Sequence, residues 1–227
     1  MQNNDYLKEF NLDDKQLSSL NIYMKLLQDW SKKMNLTSIT LDKEVYIKHF
    51  YDSLLLSKFV KDLEKVGDIG SGAGFPGLPL KIAKEALKVD LIEPTTKRCL
   101  FLSTVIDELK LENIQVINKR SEELPDKKET YDVVTSRAVA SLNILLELSI
   151  PLLKVKGRMY ALKGSSYDEE IQGAKKALKE LNCQVTNIYE FDLPEGLGHR
   201  AIIEITKMKP TPSKYPRIYA KIKKQPL

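Results

Sequence analysis

At Lys65 the hydrophobic pattern changes its period, and the change divides the chain. Upstream, Leu17, Leu20, Met24, Leu27 and Met34 recur at spacings of three, four or seven, with Tyr23, Leu26 and Trp30 widening the stripe. That is the pattern of an amphipathic helix. Asp13 or Asp14 is placed to cap its start, and Asn35-Leu36-Thr37 to end it. A second helix is expected from Asp42, carrying Val45, Tyr46, Phe50, Leu54 and Leu55. Downstream, strand-length apolar runs at 66–69, 89–92, 114–117, 131–135 and 159–162 alternate with helical stretches at 78–87, 97–109, 142–153 and 168–181. Such alternation predicts an α/β fold, a parallel sheet covered by helices. Two further strands, at 184–191 and 200–206, have no helix between them and predict a C-terminal antiparallel hairpin. Pro210, Pro212 and Pro216 then argue against regular helix and predict an extended tail. The expected organisation is an N-terminal helical cap over 1–64, an α/β domain over 65–207 and a basic, proline-containing tail over 208–227.

Composition narrows the function classes. The 227 residues hold no apolar run near the roughly 20 residues a bilayer crossing needs, and the start MQNNDYLKEF is too polar for a signal peptide. Cys99, Cys183, His49 and His199 show neither zinc-ligand spacing nor a disulfide framework, so no metal and a reducing cytoplasmic setting are expected. The net charge of +5 is unevenly placed. Of the 36 basic residues, seven (Lys207, Lys209, Lys214, Arg217, Lys221, Lys223 and Lys224) lie after Thr206 with no acid among them, leaving 29 against 31 acidic ones. A near-neutral body with a basic end points to a polyanionic partner at the C-terminus.

The most specific segment is DIGSGAGFPGLPL, from Asp68 to Leu80. Gly70, Gly72 and Gly74 follow the first strand directly and lead into a helix, where glycine permits tight turns and close approach of a ligand to the backbone. Glu93 stands at the tip of the second strand, 25 residues after Asp68, placed to accept hydrogen bonds from ribose hydroxyls. Residues 72–77 also fit the dinucleotide fingerprint, but Asp68 ahead of the glycines and Pro76 and Pro79 in the helix start disfavour NAD. The D-x-G-x-G-x-G form resembles the nucleoside-binding loop of class I S-adenosylmethionine (AdoMet) methyltransferases.

Further segments extend the likeness: Asn35-Leu36-Thr37, His49-Phe50-Tyr51-Asp52-Ser53-Leu54, Ile92-Glu93-Pro94 with Lys97-Arg98, Ser136-Arg137-Ala138, Leu162-Lys163-Gly164 and Tyr215-Pro216-Arg217. Together with the loop they resemble, across essentially the whole chain, the glucose-inhibited-division-B family of bacterial 16S (small-subunit) rRNA guanine-N7 methyltransferases. The resemblance implies a class I AdoMet-dependent methyltransferase fold, Rossmann-like and mostly parallel, with an N-terminal helical extension. It implies AdoMet as cofactor, with Asp68, Gly70, Ser71, Gly72, Gly74 and Phe75 in the binding loop and Glu93 on the ribose. Ser121 and Glu122 would meet the adenine; the family often has Ala or Val at the first of these, a change that a backbone contact survives. Arg137 matches a cofactor-binding position, and its anion is either the methionine carboxylate or an RNA phosphate. The implied partner is 16S rRNA or the small ribosomal subunit, bound by a monomer.

The chemistry agrees with the residues. Guanine N7 carries a lone pair and no proton, so its methylation needs alignment and charge stabilisation rather than a general base. No catalytic residue is therefore singled out. Cytosine C5 methylation wants a cysteine nucleophile, commonly after proline, yet Cys99 follows Arg98 and Cys183 follows Asn182. Adenine amino methylation resembles families with a Pro-Pro-aromatic signature where this chain reads Ser136-Arg137-Ala138-Val139. Lys163, Lys214, Tyr215, Arg217, Lys221, Lys223 and Lys224 are the RNA-contact candidates, the tail combining phosphate-neutralising cations with stacking tyrosines. Deleting the tail after Thr206 should then spare AdoMet binding and weaken RNA binding. His49 and Asp52 share a helix face as a local pair or an RNA contact, and His199-Arg200 is read as structural. Two alternatives remain open: a small-molecule methyltransferase on the same fold, and an RNA-binding ribosome assembly factor.

Overall fold

Asp13 and Gln16 cap the first long helix reciprocally. Asp13 Oδ1 accepts the Gln16 N–H at 2.8 Å, and the Asp13 N–H donates to Gln16 Oε1 at 2.9 Å, satisfying amides the helix leaves without partners. This is seen in a computed structural model, which describes residues 3–34 and 36–227; Asn35 of the expected helix end, and Met1 and Gln2 of the polar start, lie outside the described residues. Helix α1 (Asp14–Met34) turns Leu20, Tyr23, Met24 and Leu27 inward. The second helical segment opens at Asp42 as expected but is not uniform. α2 (Asp42–Glu44) passes into a π-helical stretch (Val45–Tyr51) and then α3 (Asp52–Leu54). The wider π turns carry Lys48 and His49, which both reach the site described below.

Among the described residues seven strands form: β1 (Lys65–Ile69), β2 (Lys88–Ile92), β3 (Ile114–Ile117), β4 (Tyr131–Arg137), β5 (Leu153–Lys163), β6 (Cys183–Asp192) and β7 (His199–Lys207). They form one sheet in the order β3-β2-β1-β4-β5-β7-β6. β1 to β5 pair in parallel, while β7 inserts antiparallel between β5 and β6. The expected hairpin therefore forms one edge. α4 (Gly77–Ala83), α5 (Thr96–Glu108), α6 (Leu142–Ser149), α7 (Tyr167–Gly173) and α8 (Lys175–Glu180) connect the strands. Three expected helices are shorter than the pattern suggested, and the first of them, α4, ends at Ala83 rather than at 87. α6 gives way to a 3-10 turn (Ile150–Leu152) at Pro151, which has no N–H to continue the ladder. The stretch at 168–181 divides at Ala174 into α7 and α8.

Strand side chains alternate between two faces. Val133 and Ile202 join Tyr23, Phe50, Phe75 and Phe101 on one side, whereas Val134 and Ile203 join Leu142, Leu145 and Ala177 on the other. The N-terminal helices thus share a continuous cluster of buried side chains with the sheet.

The C-terminal segment corrects the expected extended arm. Lys207 is 0 % exposed and donates to Glu129 Oε1 at 2.8 Å and to the carbonyls of Ile150 and Leu153. Tyr215 is 4 % exposed, with its hydroxyl on Glu180 Oε2 at 3.0 Å. Arg217 donates through Nε to Glu147 Oε1 at 2.7 Å, where Glu147 is wholly buried on α6. Beyond the prolines a short helix forms after all, α9 (Tyr219–Lys224), with Ile222 buried. Tyr215 and Arg217 are therefore anchors of this segment rather than exposed RNA contacts. Proline restricts the backbone locally, but the segment is still held by the Arg217–Glu147 pair just after Pro216 and by the buried Lys207 before Pro210.

Candidate functional site

The sheet order reverses between β1 and β4, and in parallel sheets the crevice at that point, beyond the C-terminal strand ends, is where ligands bind. The glycine loop fills the β1 side. Gly70, Gly72 and Gly74 have φ of 67°, 58° and 98°, the region glycine enters without strain. A side chain at Gly70 would lie 2.5 Å from Val139 Cγ2, and one at Gly74 would lie 2.4 Å from Leu78 Cδ1. Gly72 differs: it is half-exposed, and a Cβ there would meet only Gly70 O at 3.8 Å.

Glu93 locks this loop to β2. Its Oε2 accepts the Gly72 N–H at 2.9 Å and its Oε1 the Thr95 N–H at 2.8 Å, with Arg98 Nη1 3.8 Å away. Each oxygen keeps further acceptor capacity. Glu93 lines a cleft of about 260 Å³ together with Gly70, Arg120, Ser121, Glu122 and Tyr219. Ser121 and Glu122 reach it on a 3-10 turn (Ser121–Glu123), and burial pushes the Glu122 carboxyl upward.

Other expected cofactor residues are buried in or under the loop and do not line this cleft. Asp68 is 0 % exposed; its Oδ2 accepts the Gly77 N–H at 3.1 Å, and its Oδ1 has no hydrogen-bond partner among the described residues. Burial pushes its pKa up to about 7 against the opposing pull of the Gly77 N–H. Ser71 Oγ donates back to Asp68 O at 3.0 Å. Phe75 is buried, its ring 4.4 Å from His49 and 5.4 Å from Tyr23, whose hydroxyl donates to Ala73 O. These side chains, with Gly74, brace the loop.

A second cleft, of about 700 Å³, adjoins the first at Ala138 and Val139 and is lined by Lys48, His49, Asp52, Arg137, Lys163 and Arg200, among others. Arg137 ends β4 above the Phe75 ring at 4.8 Å, with Nη1 donating to Asp52 Oδ2 at 2.8 Å and to Lys48 O at 3.0 Å. Its Nη2 lies 3.0 Å from His49 Nδ1. A guanidinium only donates, so Nδ1 accepts and the ring proton is assigned to Nε2, facing Thr37 Oγ1 at 3.0 Å. Burial, then the Arg137 charge, pushes the His49 pKa down to about 3, so the ring is neutral. Lys163 Nζ is fastened to Ala140 O at 2.7 Å and Glu170 Oε2 at 2.6 Å.

Arg200, set aside by sequence reasoning, reaches this cleft with Nε 3.2 Å from Asp52 Oδ1. Its neighbour His199 instead sits between Glu190 and Asp192, 3.1 Å from each. The signal for Arg200 was its position at the start of a strand pairing with β5, opposite the Lys163 end. Of the tail candidates, Lys214 pairs with Glu180 at 3.1 Å, and Lys221, Lys223 and Lys224 are exposed. Among the described residues no acidic, His or Cys group is arranged to hold a metal ion, and no helix is long and apolar enough to cross a membrane.

Comparison with known proteins agrees with this geometry. Residues 16–198 match the GidB family, described as rRNA small subunit methyltransferase G. The chain is 44 % identical over 221 residues to a Ribosomal RNA small subunit methyltransferase G from Acetivibrio thermocellus, covering 96 % of this chain and 91 % of that protein. It is 43 % identical over 215 residues to the protein of the same name from Bacillus subtilis, covering 92 % and 90 %. Among solved structures, M. jannaschii TYW2 in complex with AdoMet superposes with a TM-score of 0.57 at 18 % identity, covering 69 % of this chain and 75 % of that one. A SAM dependent methyltransferase from Aquifex aeolicus gives 0.53 at 18 % identity, covering 68 % and 89 %. These distant likenesses establish the fold, the class I AdoMet-dependent methyltransferase architecture. Carried by the match over residues 16–198 and by relatives aligned over nearly its whole length, the chain belongs to the GidB family of small-subunit rRNA methyltransferases.

Proposed function

We propose that the protein transfers a methyl group from AdoMet to N7 of a guanine in 16S rRNA, acting in the cytoplasm as a monomer on the small ribosomal subunit or its RNA. The observation that supports this most is the meeting of two unlike clefts at Ala138 and Val139. One offers the acceptors of Glu93 to a nucleoside. The other is lined by Lys48, Arg137, Lys163 and Arg200, set against Asp52 and Glu170, and would take a polyanion.

AdoMet fits the residues present. Glu93 has acceptor capacity left for ribose hydroxyls, and Gly72 leaves the loop rim open. Gly70 and Gly72 would hold the cofactor through their backbone and Ser121 and Glu122 its base, while Arg137 would meet either its carboxylate or an RNA phosphate. When bound, AdoMet supplies a methyl group already activated on a sulfonium. The protein's task is then to align the purine and to shield charge as it moves. His49, neutral with its pKa near 3, is a poor proton acceptor, and N7 has no proton to remove. In this reading residues 1–64 cap the substrate side and residues 65–207 hold the cofactor. Of the candidates in residues 208–227, Lys214, Lys221, Lys223 and Lys224 remain for RNA.

The test uses methyl-labelled AdoMet with naked 16S rRNA, intact small subunits or a metabolite pool. Label should enter RNA, and reduction followed by aniline should cut the chain at the modified guanine. Label entering only small molecules, or RNA that resists this scission, would overturn the proposal.

A further inference from the structure

Tyr219 begins α9 and lines the nucleoside-side cleft, far along the chain from the loop and acid that define it. Its ring centroid lies 4.6 Å from the guanidinium carbon of Arg120, which lines the same cleft and directly precedes Ser121. The ring is fixed from behind. The Arg217 N–H and Nε both reach Glu147 Oε1, at 2.9 and 2.7 Å, and Arg217 Nη1 donates to Gln225 O at 3.1 Å, tying both ends of α9 to α6. Ile222 is the buried residue of α9. Such a buried carboxylate beneath an exposed helix is a costly arrangement for a passive tail, since breaking the pair strands the charge.

The cleft thus has a carboxylate at the Glu93 end and a planar pair, Tyr219 with Arg120, at another wall. Aromatic and guanidinium planes are the surfaces on which nucleobases stack, whatever the base. We infer that Tyr219, backed by Arg120, forms the outer wall of the adenine end of the AdoMet site, so that the C-terminal helix belongs to the cofactor site. This rests on the AdoMet reading above and adds a binding residue to it. It also reverses the role the basic tail suggested: the anchor residues serve the cofactor, and the exposed lysines sit on a helix whose first residue touches it.

Calorimetric binding of AdoMet, S-adenosylhomocysteine and 5′-methylthioadenosine tests the wall directly. Tyr219→Ala should weaken all three by a similar factor, about tenfold, and Tyr219→Phe by no more than about twofold, because the stacking face is kept. Equal loss for 5′-methylthioadenosine, which lacks the amino-acid end, places the effect at the nucleoside. Tyr219→Trp adds an optical readout beside Trp30, the single tryptophan of the chain; S-adenosylhomocysteine should quench its emission. Wild-type protein that binds none of the three ligands would remove the AdoMet reading, and the wall with it. Wild-type binding matched by Tyr219→Ala, or binding to Tyr219→Trp without any change in emission, would overturn the wall alone.

Discussion

Asp52 holds Arg137 at 2.8 Å across the seam between the N-terminal helices and the fourth strand. The carboxylate is 3 % exposed and takes Arg200 on its other oxygen at 3.2 Å. One side chain of the helical extension therefore orients two cations of the larger cleft. Asp52→Ala should leave both guanidiniums facing each other without their shared counter-ion. Removing one partner of a buried pair costs about 3–5 kcal/mol, and the partial exposure of both arginines reduces that here to about 2–3 kcal/mol. Urea unfolding measures the loss; a variant as stable as wild type would show that the arginines do not depend on Asp52.

Glu93 joins loop to strand and is the acceptor proposed for ribose. Glu93→Gln keeps the shape but removes the charge and turns one acceptor into a donor facing a backbone N–H. Hydrogen bonds to charged groups contribute about 1.5–3 kcal/mol, so affinity for S-adenosylhomocysteine should fall about ten- to a hundredfold. Calorimetry decides it. Undiminished affinity would move the nucleoside elsewhere.

Asp68 and His49, both buried near the loop, titrate in opposite senses. Burial raises the Asp68 pKa to about 7, so its contribution to stability is greatest below its unfolded value of 3.8 and declines as pH rises through 7. Burial and Arg137 lower the His49 pKa to about 3, so its contribution is complete above 6.5 and is lost as pH falls through 3. Between pH 4 and 6.5 the two slopes oppose each other, each of order 1 kcal/mol per pH unit. His49→Gln should therefore become less stable as pH rises across this window relative to wild type. Asp68→Asn should become more stable. Denaturant melts at pH 4, 5 and 6.5 check both signs, and parallel curves for the three proteins would contradict the assignment.

The strands were legible because their apolar runs are short, regularly spaced and separated by helical periods, and the loop because Gly70, Gly72 and Gly74 follow a strand tip with Glu93 at the next. What escaped depends on side-chain direction and on pairings between distant segments. Asp68 was assigned to the cofactor, yet its side chain turns under the loop to Gly77. Arg200 needed the β5–β7 pairing to reach Asp52. Arg217 and Tyr215 read as free cations and stackers because their partners, Glu147 and Glu180, lie far upstream on helices that look ordinary in sequence. Charge density along the chain does not distinguish an anchored cation from an exposed one.

The same distinction governs how RNA binding by the C-terminus is tested. Deleting everything after Thr206 removes Lys207 and Arg217 and leaves the buried Glu147 with no counter-ion. That deletion should cost about 3–5 kcal/mol of stability and should weaken cofactor binding, contrary to the expectation from sequence. Replacing Lys221, Lys223 and Lys224 together by Ala is the cleaner experiment, because all three are exposed while Ile222 and Arg217 keep α9 in place. If each lysine neutralises one phosphate, the slope of log affinity against log salt should become shallower by about 2 to 3. AdoMet affinity should not change. A salt slope equal to wild type would assign these lysines to solvent, leaving RNA affinity to Lys48, Arg137, Lys163 and Arg200 around the larger cleft.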